Sequence, residues 1–257
     1  MALDVIAGPD EARDGVAYRL ALPAARHEEL TSFRVLVVDT HPLLPTATTV
    51  RSALDRLSQR LVKAGVNVGR TSPLLPDLAN SARVYMRLLL PVVSARWPTD
   101  QYKQVQVAAE ALKPDDNSLV AERTRGAVLS HRDWMAADVA RARLQRQWSE
   151  LFRQWDVVLC PAMPTPAFPH DHSSPDYARH IEIDGKEYPY FDQLVWPEIA
   201  TTPGLPATAV PIDRSETGLP IGIQIVGPYL EDRTTITFAE LIEREFGGFR
   251  PPPGYAG

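Results

Sequence analysis

Cysteine is nearly absent from this sequence, which has one, Cys160, among 257 residues. A single cysteine cannot form an internal disulfide, so the fold does not depend on an oxidising compartment. The sequence also lacks an apolar run of about 18 residues, the length that a membrane-spanning helix needs. Its amino terminus has neither the basic start nor the long apolar core of a signal peptide. We therefore expect a cytoplasmic protein with no membrane partner.

Patterns for nucleotide, nucleic-acid or metal binding are missing as well. No Gly-x-x-x-x-Gly-Lys-Ser segment is present to cradle phosphates. A formal net charge of -5 argues against a nucleic-acid partner, because such proteins usually carry a basic surface. The His-x-His pair formed by His170 and His172 lacks the additional ligand spacing of a zinc site. The sequence thus predicts no cofactor and no metal.

The apolar residues that are present follow the pattern of an α/β protein. Continuous apolar runs at 33–39 and 156–160 predict strands buried on both faces of a parallel or mixed sheet. Helical spacing from Val50 to Val62, with Gly65 as the left-handed cap, predicts a helix between the first strand and a second one at 66–68. Further helices are predicted at 75–93 and 101–112, although the prolines at 76, 91 and 98 break their pattern. A capping box, Ser130-His-Arg-Asp133, opens a long helix that ends near Trp155, and a last helix is predicted at 231–246. The length fits one domain over residues 1–257.

Two hairpins are predicted in the second half of the chain. Residues 167–190 are polar and are predicted to form a surface excursion from the core. Within them, Asp184-Gly185 is a good type I′ turn for a hairpin. The apolar segments 207–211 and 221–226 read as a second antiparallel pair. The second pair carries the most specific pattern in the sequence.

Pro203-Gly-Leu-Pro-Ala-Thr-Ala-Val-Pro211 and Gly218-Leu-Pro-Ile-Gly-Ile-Gln-Ile-Val-Gly-Pro228 resemble the closing sheet strands of the amidase signature family. The resemblance implies a mixed sheet sandwiched between helices. It also implies amide hydrolysis by a serine nucleophile through an acyl-enzyme, with a bridging cis-serine and a lysine base. No Gly/Ser-rich nucleophile segment and no lysine in the family's context occurs in these 257 residues. We therefore expect 1–257 to be the carboxyl-terminal part of a single amidase domain, incomplete, with no catalytic residue of its own and inactive alone.

Three residues are candidates for binding the substrate, and all of them precede the Gly-Leu-Pro turn at 204–206. Asp192 and Trp196 lie just upstream of it, although Trp196 could equally be a packing residue. Thr201 stands where many relatives carry an Asn, three residues before the glycine. The resemblance implies a small-molecule amide as the substrate of the full-length enzyme.

Other reactive side chains favour structural interpretations. The segment from His170 to Asp176 contains histidines, aspartates and the Ser173-Ser174 pair, but triad residues converge from separate elements, so a solvated loop is expected. Cys160 ends an apolar strand and is expected to be buried. His41 and His131 are interpreted as ordinary polar positions.

An alternative function remains open at this point. The chain could be a non-catalytic subunit that docks on a partner through an uncovered sheet. Strands at 35–38, 157–160 and 221–226 are too apolar to face water, so the sequence predicts that the missing amino-terminal half, or self-association, covers part of them.

Overall fold

A computed structural model describes residues 2–10, 13–252 and 254–255, so both ends of the predicted domain, Met1 and Gly257, lie outside the described residues. The helices are α1 (Ala2–Ile6), α2 (Thr48–Lys63), α3 (Leu78–Ser94), α4 (Thr99–Glu110), α5 (Leu119–Ala127), α6 (His131–Gln154), α7 (Glu198–Thr201) and α8 (Asp232–Phe246). The strands are β1 (Arg34–Val37), β2 (Asn67–Gly69), β3 (Val157–Pro161), β4 (His180–Ile183), β5 (Lys186–Pro189), β6 (Ala207–Arg214) and β7 (Pro220–Val226). Within these described ranges no helix is long and apolar enough to cross a membrane.

The central sheet is mixed, with the strand order β2-β1-β3-β7-β6. β1 is parallel to both β2 and β3, whereas β7 is antiparallel to β3 and to β6. This confirms the predicted strand-helix-strand unit and the carboxyl-terminal hairpin. The chain leaves β1 for β2 on one side and returns to β3 on the other, so a topological switch point lies between β1 and β3.

Helix ends match their sequence signals closely. Gly65 takes the left-handed conformation (φ +89°) directly after α2. Ser130 Oγ accepts a hydrogen bond from the Asp133 backbone N–H at the start of α6, which confirms the predicted cap. The reciprocal bond differs from a standard capping box, because the Ser130 hydroxyl and not its backbone N–H contacts the Asp133 carboxylate (2.6 Å). Val62, which was counted in the apolar spacing that predicted α2, lies outside the core and is 58% exposed.

Two helical features were not predicted. No clear sequence signal marks α5, which Ser118 caps by accepting from the Ala121 N–H. α3 continues through Pro91, where a break was expected. α5 packs closely on α3, because a Cβ on Gly126 of α5 would lie 2.9 Å from the Met86 carbonyl oxygen of α3, so only glycine allows this approach.

The expectation of an uncovered sheet is wrong. All five residues of β3 are buried, as are Val35, Leu36 and Val37 of β1 and the inner residues of β7. One face packs under α2 and α8, in a core that includes Leu54, Leu57, Leu61, Phe238 and Ile242. The other face packs under α3, α6 and the 190–201 segment, in a core that includes Met86, Trp148, Phe152 and Trp196. This chain itself therefore covers the apolar strands.

The β4–β5 hairpin is formed as predicted but is more than a surface excursion. Asp184 (φ +50°) and Gly185 (φ +78°) make its turn. Ile181 and Ile183 point into the core and are buried. Asp184 accepts hydrogen bonds from the Thr48 N–H (3.0 Å) and the Thr48 hydroxyl (2.8 Å), so the hairpin caps α2 from outside the helix.

Candidate functional site

The candidate site lies at the carboxyl ends of β1 and β3, where the sheet has its switch point. In open α/β sheets this is the edge at which ligands bind. The loop after β1 meets the loop after β3, since the Ala47 N–H donates to the Pro164 carbonyl over 2.8 Å. Gln224 of β7 fixes the 190–201 segment here: its Nε2 donates to the carbonyls of Pro161 (3.1 Å) and Trp196 (2.7 Å).

Asp192 lies in a 3-10 helix, Tyr190–Val195, and is paired with a cation. Arg123 Nη1 of α5 donates to Asp192 Oδ1 over 2.5 Å, and both side chains are largely buried, with exposed fractions of 16% and 12%. Asp192 Oδ2 makes no hydrogen bond to the part of the chain that the structure describes. The ion pair therefore holds the Asp192 carboxylate in place, and Oδ2 can still accept a hydrogen bond.

Trp196 is completely buried and packs edge-on against His41, with 5.7 Å between ring centroids. Its indole Nε1 has no hydrogen-bond partner among the described residues. Buried indole N–H groups usually find a partner. The residue lies inside the core in this structure, and a substrate contact by Trp196 stays a prediction.

Thr201 ends α7 and is exposed. Its hydroxyl donates to the Pro197 carbonyl (2.8 Å), one helical turn earlier. The Gly-Leu-Pro turn follows, with Gly204 at φ +71°. The three predicted binding residues thus lie on one segment but in different environments. Asp192 forms an ion pair, Trp196 is buried in the core, and Thr201 is exposed.

A groove of about 680 Å³ runs beside the Gly-Leu-Pro turn, lined among others by Arg26, Gln145, Arg146, Pro203, Leu205 and Tyr229. None of the three predicted residues lines it. Arg26 is already occupied, since it bonds to Glu231 and Asp156 and to the last carbonyls of α6.

Two buried titratable groups near the switch point were not identified from the sequence. His41 was interpreted as an ordinary polar position, but it is only 7% exposed, and burial lowers the pKa of its imidazole to about 4. Its Nδ1 accepts from the Leu43 N–H, while Nε2 lacks a well-formed hydrogen bond to any described residue. Glu198 of α7 is fully buried, and burial raises the pKa of its carboxyl to about 7. The one sequence signal for the burial of Glu198 is the apolar character of its neighbours in Pro197-Glu-Ile-Ala200.

Cys160 and the segment from His170 to Asp176, which the sequence assigned to structural roles, lie where expected. Cys160 is fully buried, which confirms the packing role, and burial raises the pKa of its thiol. Residues 169–178 are exposed, which confirms the solvated loop. There the Ser173 N–H donates to Asp171 (2.8 Å), and His170 and His172 lie edge to face at 5.8 Å. No group of three or more potential metal ligands occurs in the described ranges.

The Amidase family model matches residues 1–236. The chain belongs to the amidase family. This amidase-family chain is 24% identical over 261 residues to a glutamyl-tRNA(Gln) amidotransferase subunit from Koribacter versatilis, covering 94% of the chain and 52% of that protein. It is 31% identical over 123 residues to a fatty acid amide hydrolase from Medicago truncatula, covering 47% of the chain and 19% of that protein. The chain spans about half the length of the first of these relatives.

Solved structures show the same fold. The amidase-family chain matches the corresponding glutamyl-tRNA(Gln) amidotransferase subunit of Thermotoga maritima with a TM-score of 0.70 at 19% identity, covering 97% of this chain and 52% of the other. A bacterial aryl acylamidase of the amidase signature family matches with a TM-score of 0.66 at 18% identity, covering 96% and 50%. The predicted mixed sheet between helices is therefore confirmed as an amidase signature fold.

Proposed function

We propose that this chain forms part of the substrate-pocket wall of a hydrolase of carboxylic amide C–N bonds and that alone it does not hydrolyse amides. The observation that carries the proposal is the family match over residues 1–236. The switch point between β1 and β3 supports it, because the 190–206 segment with the family's Gly-Leu-Pro turn is fixed there by Gln224.

The nucleophile and its base come from residues outside 1–257 in this proposal, and Asp192 contacts the substrate. Arg123 holds Asp192 Oδ1, which leaves Oδ2 as an acceptor for a substrate N–H. Trp196 helps to fix the same segment, because it is buried and packs against His41. Thr201, exposed at the end of α7, offers a hydroxyl on the same segment. The substrate is a small-molecule amide, and Cys160, the single free thiol, suits a reducing cytoplasm.

The experiment combines the chain with the amino-terminal half of a related amidase. The chain alone is expected neither to hydrolyse simple amides nor to react with a serine-directed fluorophosphonate, because loss of a nucleophile-base unit costs about 10⁶ in rate. With the complementing half, amide hydrolysis is expected. Asp192→Ala should then lower kcat/KM by about tenfold or more, as expected when a hydrogen bond to substrate is lost, whereas Glu216→Gln, in the exposed turn after β6, should not.

Stoichiometric labelling of a serine in the chain alone would overturn the inactivity, and labelling at Ser173 or Ser174 would assign a catalytic role to the exposed loop. Failure of the complemented protein to cleave any amide while both halves bind each other would favour the alternative, a non-catalytic subunit. Since both sheet faces are covered, such a subunit would have to dock elsewhere. The edge strands β2 and β6, each paired on one side only within the described residues, are the places where a partner strand could add.

A further inference from the structure

Glu198 is a buried acid to which the proposed function gives no role. Its side chain is 0% exposed. Ser81 Oγ of α3 donates to its Oε2 over 2.9 Å, and Thr202 Oγ1 donates to the same oxygen over 2.7 Å. The other oxygen, Oε1, is buried and has no hydrogen-bond partner among the described residues. One carboxyl group therefore joins α7 to α3 through a single oxygen.

Among the described residues no positive charge acts on Glu198, whose pKa responds to burial and to the hydroxyl groups of Thr202 and Ser81. Arg83 also lies on α3 but makes no ion pair with Glu198. α3 presents Ser81 and the phenol of Tyr85, and β3 presents the Cys160 thiol. The neighbouring 3-10 helix carries Asp192, whose charge is matched by Arg123. An ionised Glu198 would thus be a buried anion stabilised by two hydroxyl groups only. Such a state is strongly unfavourable, and buried carboxyls respond by staying protonated.

We propose that Glu198 is a positioning residue that holds the 190–206 segment against α3 only while its carboxyl is protonated. α7 lies between Trp196 and the Gly-Leu-Pro turn, and the Leu205 N–H donates back to the Ala200 carbonyl (2.9 Å), so α7 and the turn move together. The hydroxyl groups of Ser81 and Thr202 favour the ionised carboxylate, but the cost of burying its charge is larger. Ionisation therefore draws water to the carboxylate and loosens the packing of α7 on α3. The importance of this segment for substrate binding rests on the proposed function; its response to pH does not.

The direction of the pH dependence follows from the pKa of Glu198, which burial raises from 4.5 to about 7. Below pH 4.5 the carboxyl is protonated in both the folded and the unfolded chain. Between pH 4.5 and 7 the folded chain keeps a proton that the unfolded chain loses, so stability falls as pH rises. Above pH 7 this contribution stays constant. The unfolding equilibrium constant should grow by roughly 100- to 1,000-fold across this window, since each pKa unit is a factor of ten.

The experiment compares the full chain with Glu198→Gln, which keeps the size of the side chain and cannot ionise. Hydrogen exchange of the 196–206 peptide is measured by mass spectrometry between about pH 5 and 9, with wild type and variant compared at each pH to remove the intrinsic base catalysis. Exchange should be similar near pH 5, and wild type should exchange at least about tenfold faster above pH 7. Glu216→Gln, in the exposed turn after β6, serves as the matched control and should follow wild type throughout.

Thr202→Val provides a second test that keeps the carboxyl. The Thr202 hydroxyl lowers the pKa of Glu198 by hydrogen bonding to it, so its removal should shift the transition in exchange to higher pH. Equal exchange of wild type and Glu198→Gln at every pH, or an unshifted transition in Thr202→Val, would overturn the proposal. If hydrogen exchange shows the pH transition but the chain never hydrolyses amides with the complementing half, the result counts against the proposed function alone.

Discussion

At the scale of single residues, burial decides which reactive side chains of this protein can act. Cys160 and His41 are both shielded, and burial raises the pKa of the thiol and lowers the pKa of the imidazole to about 4, so each is neutral at neutral pH. Reactive cysteines need an electropositive and accessible site, which Cys160 lacks. Asp192 differs, because Arg123 binds one of its carboxylate oxygens and the other makes no hydrogen bond to the described residues.

Cys160→Ala tests this view of the strand end. The substitution removes a buried sulfur atom in β3 and should lower the free energy of unfolding by about 1–2 kcal/mol, in the range of small core truncations. Denaturant unfolding of both proteins measures the difference. In the native wild type a thiol reagent at neutral pH should react far more slowly than in the unfolded chain. Equal rates in the two states would contradict the buried assignment.

Asp156 gives a second residue-scale prediction, on acid stability. Burial by itself would raise its pKa, but hydrogen bonds from Arg34 and Arg26 outweigh this and lower the pKa to about 2. Because this value lies below the ordinary 3.8, the contribution is present above pH 3.8 and is lost as pH falls towards 2. It amounts to about 2 kcal/mol. Denaturant unfolding at about pH 5 and about pH 2.5 should show the loss in wild type, and Asp156→Asn should be less stable at the higher pH and less sensitive to acid.

At the scale of elements, sequence patterns predicted most of the helices and strands but not the contacts between them. Continuous apolar runs located β1 and β3, and the apolar segments 207–211 and 221–226 located the β6–β7 hairpin, because these signals are local. α5 was missed because its packing on α3 through Gly126 is a tertiary contact, and α3 continues through Pro91, where a break was expected. The burial of Glu198 could not be deduced either, because it depends on Ser81, which lies 117 residues away in the sequence.

The cap that Asp184 provides for α2 is a prediction at this scale. α2 has no side-chain cap of its own, and the Asp184 carboxylate accepts from both the backbone N–H and the hydroxyl of Thr48. Asp184→Gly keeps the left-handed turn but removes the cap, so it should cost about 1 kcal/mol of unfolding free energy. Asp184→Asn retains an acceptor and tolerates the same conformation, and it should cost less. Equal losses for the two variants in urea titrations would show that the carboxamide or carboxylate at this position does not cap the helix.

At the scale of the whole molecule, the chain covers its own sheet although it spans about half the length of its relatives. The sequence predicted otherwise, because apolar patterns identify strands that need cover without showing which helices supply it. Within the described residues the sheet still has two edge strands, β2 and β6, each with one side that pairs with no other strand. β2 is only three residues long, and β6 carries Pro211 and a register shift between Pro211 and Asp213. Short edges, proline and bulges are the features by which proteins discourage strand addition.

We therefore expect the isolated chain to be a compact monomer, which replaces the self-association inferred from the sequence. Both faces of β1 and β3 and the apolar side chains of β7 are buried, so the sheet offers no apolar face to a hydrophobic dye. Size-exclusion chromatography with light scattering should give a mass near 28.5 kDa, with weak dye fluorescence and one cooperative melting transition. Pro211→Val, which restores a hydrogen-bond donor to β6, should increase self-association, whereas Pro252→Val near the carboxyl terminus should not. A wild-type chain that elutes as large, dye-binding assemblies would contradict self-coverage and favour cover by a partner or by the rest of a longer enzyme.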